Sequence, residues 1–124
     1  AVNDMPSSNK EDAVVNAYPL PFCHCRQCGL TQIGVRLNKE VVFPRSYPYL
    51  SGMTKSLLMN FAQQAEQVST YMQLTDEDLI VDIGSNDGSL LQNYMKRSKV
   101  LGVEPTQAAD IANSNNIPTL ILYS

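Results

Sequence analysis

The run Leu79-Ile80-Val81-Asp82-Ile83, followed at once by Gly84-Ser85-Asn86-Asp87-Gly88, constrains the fold more than any other part of this chain. A short run rich in β-branched residues suits a buried parallel strand, and glycine directly after it lets the backbone turn sharply and pass close to a ligand. Asp82 sits inside that apolar run, where an unpaired carboxylate is costly, so it is expected to reach the loop backbone or the ligand.

The pattern downstream extends this unit. From Ser89 to Arg97, Leu90, Leu91, Tyr94 and Met95 recur at helical spacing and close on the basic pair Lys96-Arg97, which favours a helix C-terminus. Val100-Leu101-Gly102-Val103 predicts a second strand, Gln107 to Ser114 a second crossover helix closed by Asn115-Asn116, and Thr119 to Tyr123 a third strand. The order β-α-β-α-β signals a doubly wound α/β unit with a parallel sheet, whose ligands sit at the carboxyl ends of the strands. A complete sheet of that class needs more strands than this, so the chain is expected to be cut short.

Glu104 ends the second strand twenty positions beyond Gly84, with Pro105 after it. A carboxylate placed there can accept hydrogen bonds from both hydroxyls of an adenosine ribose. A dinucleotide site also uses glycines and such an acid, which makes an NAD-binding or flavin oxidoreductase the rival reading. That fingerprint wants glycine at the first, third and sixth loop positions, and here those are Gly84, Asn86 and Ser89. The third-position glycine serves a pyrophosphate, a need that vanishes for a sulfonium with an amino-acid tail, and Asn86 can bond such a tail instead. A plainer possibility is that Gly84 and Gly88 only form a tight strand-to-helix turn.

Upstream, residues 1–17 are polar and irregular in pattern, residues 18–52 read as a small zinc-binding-like module with an aromatic loop, and residues 53–124 as the α/β part. Between Tyr18 and Val42, Thr31, Ile33, Val35 and Leu37 alternate with polar residues or glycine and predict a small ribbon. Phe43 to Gly52 is a loop by its Pro44, Pro48 and Gly52. Thr54 is placed to cap a helix of about five turns, in which Leu57, Leu58, Phe61, Ala62, Ala65, Val68, Tyr71 and Met72 form a stripe expected to lie against the sheet.

Cys25-Arg26-Gln27-Cys28-Gly29 has the form of a zinc knuckle, with Cys25 and Cys28 as candidate ligands. One pair supplies half of a tetrahedral site, so two further ligands must come from elsewhere; idle thiols are the alternative. A zinc-dependent interaction module without catalysis follows if only this part matters. His24 is assigned no role.

The formal charge of -3 and the scattering of the nine Lys and Arg supply no basic field for nucleic acid. No apolar run approaches the roughly 18 residues that a membrane span needs. These features lead to the expectation of a soluble, cytoplasmic protein with no nucleic acid and no membrane partner.

Taken in order, Cys25-Arg26-Gln27-Cys28-Gly29-Leu30-Thr31-Gln32, Tyr47-Pro48-Tyr49-Leu50-Ser51-Gly52, Val81 through Leu91, and Leu101-Gly102-Val103-Glu104-Pro105 form a series that resembles the sugar C-methyltransferases with an N-terminal zinc module. The likeness runs from about Pro19 to Ile117. It implies a partial Rossmann-like methyltransferase sheet preceded by a small zinc-ribbon-like module and a long helix, with S-adenosyl-L-methionine as cofactor and a nucleotide-linked keto-deoxysugar as substrate.

By that resemblance, Gly84, Ser85, Asn86 and Gly88 would hold the methionine portion of the cofactor and Glu104 its ribose, with Asp82 and Pro105 beside them. Tyr47 and Tyr49 match the family's aromatic loop near cofactor and sugar; as tyrosines they could equally anchor a Pro-rich loop. The implied chemistry is proton removal beside a sugar ketone, giving an enolate that attacks the donor methyl in line. The family's first cysteine pair and its catalytic base have no counterpart in this sequence, so truncation at both ends, inactivity of the fragment and self-association through an open sheet edge are expected.

Overall fold

The computed structural model describes residues 17–122. The irregular segment expected before Tyr18 lies, through residue 16, outside the described residues, as does Tyr123. Two sheets form: an antiparallel pair, β1 (Phe22–His24) with β2 (Thr31–Ile33), and a parallel sheet ordered β3 (Leu79–Ile83), β4 (Lys99–Val103), β5 (Thr119–Leu120). In the parallel sheet Ile80 lies beside Val100, Asp82 beside Gly102, and Gly102 beside Thr119.

Residues of the ribbon behave differently beyond β2. Val35 and Leu37 do not continue the strand, and Lys39–Val42 forms a single helical turn, α1, capped where the Asn38 side chain accepts the Glu40 N–H. The long helix α2 spans Lys55–Met72. Thr54 does not cap it with its side chain; its carbonyl accepts the first backbone bond, from Leu58. Gln73 closes α2 in the left-handed conformation, and Leu74 N–H returns to Ser69 O, a Schellman-like end.

The stripe on α2 is only partly used. Ala65 joins a cluster with Leu91, Tyr94, Val100, Ala112 and Ile117, whereas Tyr71 and Met72 stay exposed. The helix meets the turns at Ser51–Met53 and Leu91–Asn93 more than the strands themselves.

The first crossover corrects the sequence reading. Ser89 to Arg97 is not an α-helix: it holds one 3-10 turn, Leu91–Asn93, among other turns. The Asn93 amide takes the Ser89 carbonyl that the Asn93 N–H would take in an α-helix, and the backbone mixes i to i+3 bonds at Asn93, Tyr94 and Arg97 with i to i+4 bonds at Gln92 and Ser98. The second crossover is helical, α3 (Ala108–Ser114), and β5 is shorter than the expected strand.

One face of the parallel sheet, carrying Ile80 and Val100, packs on that cluster. On the opposite face Leu79, Val81 and Ile83 are exposed, so the described residues cover one side of the sheet where a doubly wound fold covers two. No helix among the described residues is long and apolar enough to cross a membrane.

Candidate functional site

The loop after β3 turns over the carboxyl end of β4. Gly84 (φ 85°), Asn86 (φ 51°) and Gly88 (φ 77°) are left-handed, a conformation that glycine adopts freely and asparagine tolerates. The N–H groups of Gly84 and Ser85 both donate to Val103 O, at 2.8 and 3.2 Å, tying the loop to the last residue of β4, next to Glu104. Space beside Gly84 is open: a methyl group there would meet nothing within 4 Å.

Glu104 is 5% exposed, and each of its carboxylate oxygens accepts a backbone N–H. Oε2 takes that of Asn86 at 3.0 Å and Oε1 that of Thr106 at 2.9 Å. Each oxygen keeps a lone pair for a ligand. The acid thus joins the glycine loop to the start of the β4–α3 connection.

Asn86 and Asp87 hold the aromatic loop. The Asn86 Oδ1 accepts the Ser51 N–H at 2.8 Å, and its Nδ2 donates to Tyr49 O at 3.1 Å. Asp87 Oδ2 accepts the Gly52 N–H at 2.8 Å, while Oδ1 accepts from the Ser89 N–H and hydroxyl. The Asn86 side chain, expected to bond an amino-acid tail, gives one proton to Tyr49 and one oxygen lone pair to Ser51. At the other end of the aromatic loop, Arg45 reaches the carbonyls of Pro105 and Thr106 and the carboxylate of Asp110.

Between these walls lies a cleft of about 420 Å³. Tyr47, Tyr49, Gly84, Asn86, Glu104 and Pro105 all line it. Phe43, Ile83, Val103 and Leu122 add apolar surface that the sequence reading did not assign to the site. For Phe43, its place at the head of the Pro-rich loop was the available signal.

The other three expected contact residues do not line the cleft. Ser85 is buried, and its hydroxyl lies against Gly102 with no hydrogen-bond partner. Gly88 packs closely on Ile117 and Ala112. Of the two alternatives for Asp82, loop backbone or ligand, the first is not met: it makes no hydrogen bond among the described residues, and burial, then the charge of Glu104, push its carboxyl above the usual range.

Cys25 and Cys28 lie apart, in the turn that joins β1 to β2, with Cys23 in β1. Gly29 N–H donates to Cys25 O and Cys25 N–H to Leu30 O, with Gly29 left-handed, so the backbone has the tight turn of a knuckle. The backbone N–H groups of Cys28 and Gln27, with the Cys28 side chain, hold the Cys25 thiol below its usual range. Among the described residues, no group of three or more His, Cys, Asp or Glu could hold a metal ion. Cys25 and Cys28 are an exposed pair of free thiols, half of the zinc site that the sequence suggests.

Comparison with characterised proteins finds the chain 29% identical over 105 residues to the C-methyltransferase NovU of Streptomyces niveus, a match covering 83% of this chain and 25% of that protein. The chain therefore spans about a quarter of the length of the curated relative it matches. No protein-family model matches the chain. The likeness is thus to part of a C-methyltransferase, and the chain itself has a mixed α/β fold.

Proposed function

We propose that this chain carries the cofactor-binding part of an S-adenosylmethionine-dependent C-methyltransferase, and that the cleft between the aromatic loop and the ends of β3 and β4 holds the methyl donor. The observation that carries the reading is Glu104: a buried carboxylate at the end of β4, fixed by two backbone N–H groups, on the wall of a cleft that the open Gly84 backbone also lines. The similarity to a C-methyltransferase supports it independently of the geometry.

The residues present fit such a ligand. The cleft falls within the roughly 300–1,000 Å³ usual for small-molecule sites. Glu104 has acceptor capacity for the ribose hydroxyls, Gly84 leaves room for close approach, and Phe43, Tyr47 and Pro105 offer apolar surface for a base. Asn86 works by holding Tyr49 and Ser51 in the wall. When bound, the cofactor supplies an electrophilic methyl group on a sulfonium. Domain boundaries at residues 18–52 and 53–124, a nucleotide-linked keto-deoxysugar as substrate, and zinc at Cys25 and Cys28 with ligands from elsewhere belong to the same proposal, supported by the sequence resemblance; self-association is proposed from the open edge of the parallel sheet.

Calorimetric titration of the chain with S-adenosylhomocysteine tests the reading. Binding is expected, with Glu104→Ala weakening it by about tenfold or more. A folded chain that binds NAD and not S-adenosylhomocysteine would move the assignment to the dinucleotide class.

A further inference from the structure

Arg45 and Glu104 are joined through a single peptide group. The Arg45 Nη1 donates to Pro105 O at 3.2 Å, and the N–H of that same peptide, carried by Thr106, donates to Glu104 Oε1 at 2.9 Å. Nη1 also donates to Thr106 O at 3.0 Å, while Nη2 grips both oxygens of Asp110 at 3.0 and 2.7 Å. The Arg45 carbonyl in turn accepts the Gln107 N–H at 2.7 Å. Arg45 itself does not line the cleft.

The arrangement is directional. A cation at the carbonyl of a peptide polarises it and strengthens the hydrogen bond that its N–H gives, here to a carboxylate. The ion pair with Asp110 is exposed, with side chains 47% and 58% accessible, and by itself contributes little to stability. Its effect is to aim the planar guanidinium at the two carbonyls.

We propose that Arg45 is a positioning residue for Glu104, fixing the Pro105–Thr106 peptide so that the carboxylate is held ready for the ribose hydroxyls of an adenosine ligand. The inference rests on the methyltransferase reading above. It assigns the recognition of the sugar hydroxyls to a chain of three groups, the outermost of which never touches the ligand.

The test is titration of the chain with S-adenosylhomocysteine and with its 2′,3′-dideoxy analogue, using wild type, Arg45→Ala, Glu104→Ala and the double variant. Arg45→Ala is expected to weaken the parent ligand about tenfold, to change the dideoxy analogue by less than about twofold, and to add nothing to Glu104→Ala. Equal loss for both ligands, or full additivity with Glu104→Ala, would overturn the proposal, since a merely structural brace acts on both ligands alike. Should Arg45→Ala fail to fold by circular dichroism, Asp110→Asn must show the same ligand-selective loss in smaller measure; undiminished discrimination there overturns it too. A folded wild type that binds neither ligand sinks the adenosine reading itself, and the proposal with it.

Discussion

Gly102 lies directly against Ser85: a methyl group added at Gly102 would stand 2.5 Å from the Ser85 hydroxyl oxygen and 2.7 Å from that of Thr119. The loop therefore settles on β4 only because that position has no side chain. Gly102→Ala is expected to destabilise the fold by about 1–3 kcal/mol through overpacking. Ser85→Ala, which removes a buried hydroxyl with no partner, should be neutral or stabilising. Urea denaturation of the two variants checks both signs.

Substitutions at the two loop glycines should separate strain from crowding. Gly84→Ala meets open space, so its cost is the left-handed backbone alone, about 1–2 kcal/mol. Gly88→Ala suffers the same strain and also brings a methyl group within 2.7 Å of Ile117 Cδ1. Its loss is expected to be larger by about 1–3 kcal/mol. Thermal melts of both variants, with ligand titration of Gly84→Ala, measure the difference; equal losses would contradict the packing described around Gly88.

Removing the Asn86 amide should free one part of the aromatic loop and not another. In Asn86→Ala the Ser51 N–H loses its acceptor, whereas Gly52 N–H keeps Asp87. Hydrogen exchange is expected to quicken at Ser51 by about tenfold, the equivalent of one modest hydrogen bond, with a smaller change at Gly52. Asn86→Asp retains the acceptor for Ser51 but sets a carboxylate oxygen against Tyr49 O, so it should restore protection at Ser51 only in part.

Asp82 predicts a pH dependence of definite sign. Its folded-state pKa is raised, by burial and then by Glu104, so the folded chain holds this proton more tightly than the unfolded one. Stability attributable to Asp82 therefore falls as pH rises from the unfolded value, near about 3.9, through the raised folded value, and stays reduced above it. Asp82→Asn should be more stable than wild type at pH 7, with the gain vanishing in acid. The phenol of Tyr94, raised by burial and then by the Asp82 charge, should titrate at lower pH in the same variant. Urea titrations at neutral and acid pH, with spectroscopic titration of the tyrosines, test the pair of effects.

Those features that local chemistry decides were readable from the residues. Leu79–Ile83 and the strand ending before Glu104 stand where β-branched runs place them, and the period of α2 is unbroken from Lys55 to Met72. The crossover at Ser89–Arg97 was misread because Leu90, Leu91, Tyr94 and Met95 have helical spacing while one side chain, Asn93, takes a carbonyl on which a helix depends. Arg45 carried no signal: its partners lie sixty and more positions along the chain, and nothing local distinguishes it from any other surface arginine. Asn86 stood out in the sequence only as a residue where a dinucleotide loop has glycine; its use in holding the aromatic loop needed the tertiary contact between residues 49–51 and the glycine loop.

Asp82 also has a consequence outside the folded state. Strand β3 is an edge of the three-stranded sheet among the described residues, with Leu79, Val81 and Ile83 exposed on its outer face. Without the carboxylate, Leu79 to Ile83 would be an unbroken β-prone window of the kind that stacks into cross-β fibrils. A charge in the middle of such a window acts as a gatekeeper, since in-register stacking would bring like charges together at every layer. The carboxylate that weakens the fold at neutral pH thus also sets a like charge in every layer of any in-register stack of β3.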